Sequence, residues 1–187
     1  MILTLLTMAV TSLAAVSGTS HDLSSGNPGN TAYRGTNDQI CVYCHTPHNA
    51  QVNNAAPLWN KTAVVPSYSM YTSATFNGGT ITSMGPQSSA CMACHDGTFT
   101  VDSYGYSWAD GGTTGTNNIT GDADISTNGL KDDHPIGFTY ATSQGADTDI
   151  KAAPTNTLPL FNGDMECATC HNVHDSTIEP FLRQTQA

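Results

Sequence analysis

Three copies of the pattern Cys-x-x-Cys-His constrain this chain more than any other feature. They lie at Cys41–His45, Cys91–His95 and Cys167–His171, and together they contain all six cysteines of the 187 residues. The pattern is typical of covalent c-type haem attachment. Its spacing suits that chemistry, because two thiols form thioethers with the vinyl groups of one porphyrin while the adjacent imidazole binds the iron. We therefore expect three covalently bound haem c groups. The expected tethers are Cys41, Cys44, Cys91, Cys94, Cys167 and Cys170. The expected proximal iron ligands are His45, His95 and His171.

Two other interpretations explain less of this pattern. Structural zinc combines Cys-x-x-Cys pairs into four-ligand sites, so three pairs leave one unmatched, and zinc gives no reason for a His after each pair. Disulfides within each pair would be of the reactive type and also leave the His unexplained. With seven His in 187 residues, a given pair is followed by a His by chance about once in 27 cases, so accident does not explain three.

The composition predicts a fold with little regular structure. Only 38% of the residues are hydrophobic, whereas roughly 45–50% is usual for globular domains. Gly and Pro interrupt nearly every segment, and no stretch keeps a helical period. Because such a chain buries too little side-chain surface to form a core alone, we expect mostly irregular coil wrapped around a haem core. Short helices at the haem motifs and minimal strand complete the expected fold.

The N-terminal region indicates export. Met1–Val16 carries a nearly continuous apolar run, too short for a membrane-spanning helix of about 20 residues and typical of a signal peptide. No Lys or Arg precedes Arg34, so a retained strand or helix is the alternative. We predict an export signal over residues 1–17 and a single trihaem domain over 18–187, without an integral membrane span in the mature protein. The expected location is extracellular or at the cell surface, with the periplasm as the alternative.

The charge balance excludes some partners. The formal net charge is -10, with only five Lys and Arg, and each haem would add two propionates. Nucleic acid and anionic membrane surfaces are therefore unsuitable partners. Redox donors and acceptors that are cationic proteins or minerals fit this balance better.

The remaining histidines decide the chemistry. Four of the seven are left as distal ligand candidates: His21, His48, His134 and His174. An iron with an open position can act on small molecules, whereas an iron held by two imidazoles only passes electrons. Because four candidates suffice for three positions, we expect an electron-transfer protein and not an enzyme. A small haem reductase is the alternative.

The positions of the four candidates give further expectations. His48 and His174 each lie three residues after a proximal His, which already fills the near face of its own iron, so each is expected to serve a different haem. A surface His near a propionate is the alternative for both. His134 precedes Pro135, which fixes the backbone, and a neighbouring carboxylate could orient its ring. His21 could bind an iron of its own or of another subunit.

Other side chains are expected to pack or to form loops. With His in surplus, the methionines are treated as packing residues: Met70, Met84, Met92 and Met165. The segment Asp122–Asn128 alternates oxygen-bearing residues as a calcium loop does, but Thr127 replaces the required Gly, so an Asx-rich loop is favoured. The aromatic residues expected to pack on porphyrin are Trp59, Tyr68, Tyr71, Tyr104, Tyr106 and Trp108. Pro57–Asn60 parallels Pro159–Asn162, on opposite sides of the haem motifs, so no repeat is inferred.

The chain resembles the multihaem c-type cytochromes, and is similar to those that form extracellular nanowires. The resemblance spans His21 to Arg183 and rests on His21–Ser24, Cys41–His48, Pro57–Trp59, Cys91–Gly97, Asp133–Gly137 and Cys167–Asp175. In those filaments the chain is mostly coil, every iron has two His ligands, and a subunit donates one His to its neighbour's haem. The resemblance implies a head-to-tail conducting filament in which His48 bridges to the next subunit. A monomeric periplasmic electron shuttle is the alternative.

Overall fold

Irregular chain makes up most of the protein. The computed structural model describes residues 16–51, 56–61, 67–105, 115–152 and 158–185. Within these ranges the α-helices are α1 (Pro86–His95), α2 (Tyr140–Ala146) and α3 (Cys167–Cys170). The strands are β1 (Thr127–Leu130), β2 (Phe138–Thr139) and β3 (Asp164–Met165), and two 3-10 helices cover Ile40–Tyr43 and Gly121–Ala123. The prediction of mostly irregular coil with short helices and little strand is confirmed.

A small antiparallel sheet precedes the third haem motif. Strand β2 pairs with β3, with Phe138 opposite Met165 and Thr139 opposite Asp164. The Gly137 N–H extends this pairing by donating to the Met165 carbonyl at 2.7 Å. Because β3 leads through Glu166 directly into α3, the sheet fixes the point at which the third motif begins.

Helix α1 carries the whole second motif on its C-terminal half. It begins at Pro86, and proline suits this position because the first N–H groups of a helix have no partner. It ends at His95, and Gly97 follows with φ of 66°, a conformation that glycine adopts readily. A Cβ at Gly97 would also collide with the carboxylate of Asp124. The chain therefore leaves the helix immediately after the expected iron ligand.

All three haem motifs lie on helical turns. The first motif overlaps the 3-10 helix Ile40–Tyr43, the second lies on α1, and both cysteines of the third lie on α3. Residues three apart share one face of a helical turn. The prediction of short helical turns at the motifs is confirmed.

The buried apolar residues form three small clusters, and each cluster adjoins cysteines of the haem motifs. The first contains Met70, Ile81, Met92, Leu130 and Ile136, with Cys167 packed against it. The second contains Leu23, Tyr43, Val101 and Ile119, with Cys44 and Cys94 against it. The third contains Trp59 and Ala93, with Cys44 against it. Met70 and Met92 thus pack in the interior as predicted.

Several further predictions concern loops and termini. Asp124 Oδ1 accepts hydrogen bonds from the Ser126 backbone N–H at 3.0 Å and the Ser126 hydroxyl at 2.8 Å, which confirms the Asx-rich loop. Tyr106, Trp108 and residues 1–15 of the expected export signal lie outside the described residues. In the described ranges, no helix is long and apolar enough to cross a membrane.

Candidate haem sites

The three proximal histidines are held in the same way. In each case the ring Nδ1 lies within hydrogen-bonding distance of a backbone carbonyl. The pairs are His45 with Pro57 at 2.7 Å, His95 with Ala123 at 2.8 Å, and His171 with Pro180 at 2.9 Å. Because a carbonyl only accepts, Nδ1 must carry the hydrogen and Nε2 keeps its lone pair. This is the arrangement that metal-bound His normally requires.

Each proximal imidazole lies beside one of the distal candidates. The ring centroids are 6.1 Å apart for His45 and His174, 6.1 Å for His95 and His21, and 6.3 Å for His171 and His134. The first and third pairs are near-parallel, at 21° and 13°, and the second is tilted at 49°. Two imidazoles bound to one iron would each form a metal–nitrogen bond of about 2.0 Å, and each nitrogen lies about 1 Å from the centre of its ring. The two ring centroids would then be about 6 Å apart. The three pairs therefore have the spacing that an iron between two imidazoles needs.

The pairing distinguishes His174 from His48. The His174 ring lies beside His45 and not beside His171 of its own motif, as required if it serves a different haem. His48 is exposed, and its backbone carbonyl accepts from the Thr46 hydroxyl at 2.7 Å. In the part of the chain that the structure describes, its ring contacts no other ring. Its predicted bridge to another subunit is not tested by a single chain.

The carboxylate of Asp133 lies near enough to His134 to interact with it electrostatically, but no hydrogen bond between them orients the ring in the described residues. The His134 side chain is exposed, and among the described residues its ring forms no hydrogen bond to Asp132 or Asp133. The ring instead lies nearly parallel to that of His171.

The environment of His21 fits a metal ligand. Burial, followed by the imidazoles of His95, His174 and His171, lowers the pKa of His21 to about 4. The ring is thus neutral at physiological pH, which is the form that binds metal. Its edge packs against Phe181, with ring centroids 4.5 Å apart.

Among the described residues, two buried nitrogens have no hydrogen-bond partner, and both support the fit to haem. They are Nδ1 of His21 and Nε1 of Trp59, and a buried polar group left unpaired costs about 1–3 kcal/mol. His21 lies beside His95, and Trp59 pairs through its backbone with His45. Both are therefore at expected haem sites, where a porphyrin propionate would supply the acceptor oxygens that these nitrogens lack.

The six cysteines are free thiols; Cys41 is exposed and the other five are half-buried. Burial raises the pKa of Cys44 to about 12 and also raises the pKa of Cys94. A thiol that stays protonated is a poor nucleophile and a poor metal ligand. Within the described ranges, no three His, Cys, Asp or Glu side chains converge as a metal site. A haem iron needs only two protein ligands, since the porphyrin supplies the rest.

The second motif touches the other two. The Cys91 thiol is in hydrogen-bonding contact with Cys167, and this contact and burial raise the pKa of Cys91. At the other end of the motif, Cys94 lies near enough to Cys44 to raise its pKa as well. The first and third motifs are also close together, because the ring of His174, which follows the third motif, lies beside that of His45. All three motifs are therefore mutually adjacent.

Glu166 ties the second motif to the third. Its buried carboxylate, 3% exposed, accepts hydrogen bonds from the Gly85 N–H at 2.8 Å and from the Ser88 hydroxyl. The Ser88 oxygen accepts in turn from the Cys167 N–H at 3.0 Å. One side chain thus joins the start of α1 to the start of α3, and sequence analysis did not identify it.

A backbone arrangement that the sequence did not predict is repeated around the first and third proximal histidines. Pro57–Trp59 and Pro180–Leu182 lie against their motifs alike: the Pro carbonyl meets the His Nδ1, and the third residue forms a β-bridge with the same His. The middle residues, Leu58 and Phe181, share a positive φ of 57° and 61°. Their carbonyls accept from the N–H after the proximal His, at 2.8 Å in both sites. The structural counterpart of Pro57–Trp59 is therefore Pro180–Leu182 and not the segment that begins at Pro159. The sequence signal for this repeat is weak: a Pro followed by two apolar residues, 12 positions after His45 and 9 positions after His171.

Comparison with known proteins adds no relative. No protein-family model matches the chain, and no curated protein matches it at a significant level.

Proposed function

We propose that this protein is a trihaem electron carrier in which each iron is held between two imidazoles of the same chain. The observation that carries the proposal is the set of three separate His pairs, each with ring centroids 6.1–6.3 Å apart. In each pair the proximal Nδ1 meets a backbone carbonyl, which leaves Nε2 for metal. When bound, each haem c supplies a one-electron iron couple.

The residues divide into tethers and axial ligands. The six cysteines hold the porphyrins covalently. The proposed ligand pairs are His45 with His174, His95 with His21, and His171 with His134. Because both axial positions are taken in each pair, no small molecule has access to an iron, and this argues against the reductase alternative.

The packing of the motifs suits electron transfer between them. The contacts from Cys91 to Cys167 and from Cys94 to Cys44 bring neighbouring attachment points together. The three apolar clusters each adjoin at least one of these cysteines. Porphyrin faces there would join the clusters into one core, which explains how a chain with so little regular structure folds.

The assembly state is a separate question. Every proximal His already has an in-chain partner, so a bond from His48 to a neighbouring subunit's iron would have to displace His21, His134 or His174. We therefore propose a self-contained subunit, exported from the cell, whose acidic surface meets cationic or mineral redox partners. The His48-bridged filament stays a prediction of the resemblance.

Absorption spectra of the purified protein test this proposal. We expect purely low-spin spectra in the ferric and ferrous states, and no change when carbon monoxide is added to the native reduced protein. Carbon monoxide needs an open iron position, so the denatured, reduced protein serves as the positive control. A high-spin ferric band, or binding of carbon monoxide without denaturation, would support the reductase instead.

A further inference from the structure

Lys61 is a buried cation beside the first and second motifs. Its side chain is 5% exposed, whereas the other Lys and Arg residues are exposed or half-buried. The Nζ donates to the carbonyls of Val101 at 2.9 Å and Ser103 at 2.8 Å, and a third contact reaches the sulfur of Cys94. An ammonium has three N–H donors and no acceptor. The carbonyls of Val101 and Ser103 therefore take two of the three donors of this ammonium.

The position of this charge is set by the same packing that places two of the motifs. Val101 belongs to the core cluster against which Cys44 and Cys94 pack. The residue before Lys61, Asn60, donates its backbone N–H to the Cys44 carbonyl at 2.9 Å. Lys61 is therefore fixed beside one tether of the first haem and one tether of the second.

In the ranges that the structure describes, no carboxylate contacts the Lys61 ammonium. Among the described residues Lys61 forms no ion pair. The buried carboxylate of Asp102 is next to Val101 in the chain, but its oxygens accept from the backbone N–H groups of Thr116 and Asn117, both at 2.9 Å. In a chain of formal charge -10, an unpaired internal cation requires an explanation.

We propose that Lys61 raises the reduction potentials of the haems tethered at Cys44 and Cys94 above that of the haem tethered by the third motif. This inference rests on the proposed function. In the reaction, a one-electron donor outside the protein reduces a ferric site, whose charge falls by one while no bond forms or breaks. A nearby fixed positive charge favours the reduced form, and burial keeps the interaction strong and unscreened by salt. Electrons that enter the protein therefore collect at the first and second motifs.

Spectroelectrochemical titration of Lys61→Gln tests the inference, because Gln keeps an N–H donor but removes the charge. At a fixed applied potential, the ferrous-to-ferric ratio of two haems is expected to fall about tenfold, which corresponds to about 59 mV for one electron. The third potential is expected to stay unchanged. Lys61→Arg should keep the wild-type potentials, and Lys151→Gln, which removes the same charge from an exposed position, should leave them unchanged. A Lys61→Gln titration that superimposes on the wild type would overturn the inference.

A second variant covers the case in which Lys61→Gln does not fold. Ser103→Asp keeps Lys61 and adds a carboxylate beside the carbonyl that it contacts, so the same two potentials should fall. Unmoved potentials in this variant would also overturn the inference. Haem content is measured for every protein by mass. Protein without haem contradicts the proposed function, whereas three attached haems with unmoved potentials contradict only the role of Lys61.

Discussion

Replacing His21, His134 or His174 by Ala is expected to convert one haem in three to the high-spin state while all three haems stay attached. Each of these imidazoles faces one proximal His, with centroids 6.1–6.3 Å apart. Its loss leaves one iron with an open position, whereas the thioether tethers are untouched. Ferric spin state and carbon monoxide titration of the reduced protein measure the effect, and each variant should bind one carbon monoxide per chain.

The matched control for these variants is His48→Ala. His48 is exposed, and all three proximal positions have other partners, so the self-contained subunit predicts low-spin spectra and no carbon monoxide binding. The filament hypothesis predicts instead that His48→Ala abolishes assembly or makes one haem high-spin, which light scattering and the same spectra detect. A high-spin haem in His48→Ala, together with a wild-type spectrum for one of the other three variants, would show that the pairing is wrong.

Replacing Glu166 by Ala is expected to lower the free energy of unfolding by about 3–6 kcal/mol, since two hydrogen bonds to a buried charged group are lost. The same change leaves the Gly85 N–H and the Ser88 hydroxyl without their acceptor. A loss of this size is comparable to the whole stability of many small proteins. Denaturant unfolding of the haem-bearing protein, followed by circular dichroism, measures it.

Two further variants separate the role of Glu166 from its charge. Glu166→Gln keeps one acceptor oxygen and should lose about 1.5–3 kcal/mol. Asp149→Asn removes the same charge from an exposed side chain and should change stability by less than about 0.5 kcal/mol. Equal stabilities for Glu166→Ala and the wild type would show that the link between α1 and α3 contributes nothing.

The features that sequence analysis predicted are those that local chemistry determines. The spacing of two thiols and a His in each motif is the one that covalent haem attachment requires, so the motifs alone give the expected tethers and proximal ligands. The low apolar content and the frequent Gly and Pro likewise indicate irregular chain without reference to any contact. Helical turns at the motifs follow from the same local constraints.

The pairing of the histidines depends on the path of the coil and could not be predicted. The sequence predicts that His174 serves a haem other than that of its own motif, but it does not identify His45 as the partner. His21 meets His95, which lies 74 positions further along the chain, and no periodicity links residues so far apart. With four candidates for three expected irons, the choice depends on the tertiary structure, in which the described residues pair His21, His134 and His174 with the proximal histidines.

Single buried polar residues were missed for a similar reason. Glu166 and Lys61 look like ordinary surface residues in the sequence, because acidic and basic side chains are seldom buried unless they are paired. Their burial follows from long-range contacts, from Glu166 to Gly85 and from Lys61 to Val101. Pro180–Leu182 was missed because its likeness to Pro57–Trp59 lies in backbone conformation and hydrogen bonding, and hardly at all in residue identity.

Intact-protein mass spectrometry under denaturing conditions tests most directly whether the Cys-x-x-Cys-His motifs carry covalent haem. Thioether bonds survive denaturation, whereas a haem held only by iron–nitrogen bonds is lost. The account predicts a mass above that of the mature polypeptide by three haem groups. The mass of the bare polypeptide, with its six cysteines as thiols or disulfides, would contradict it.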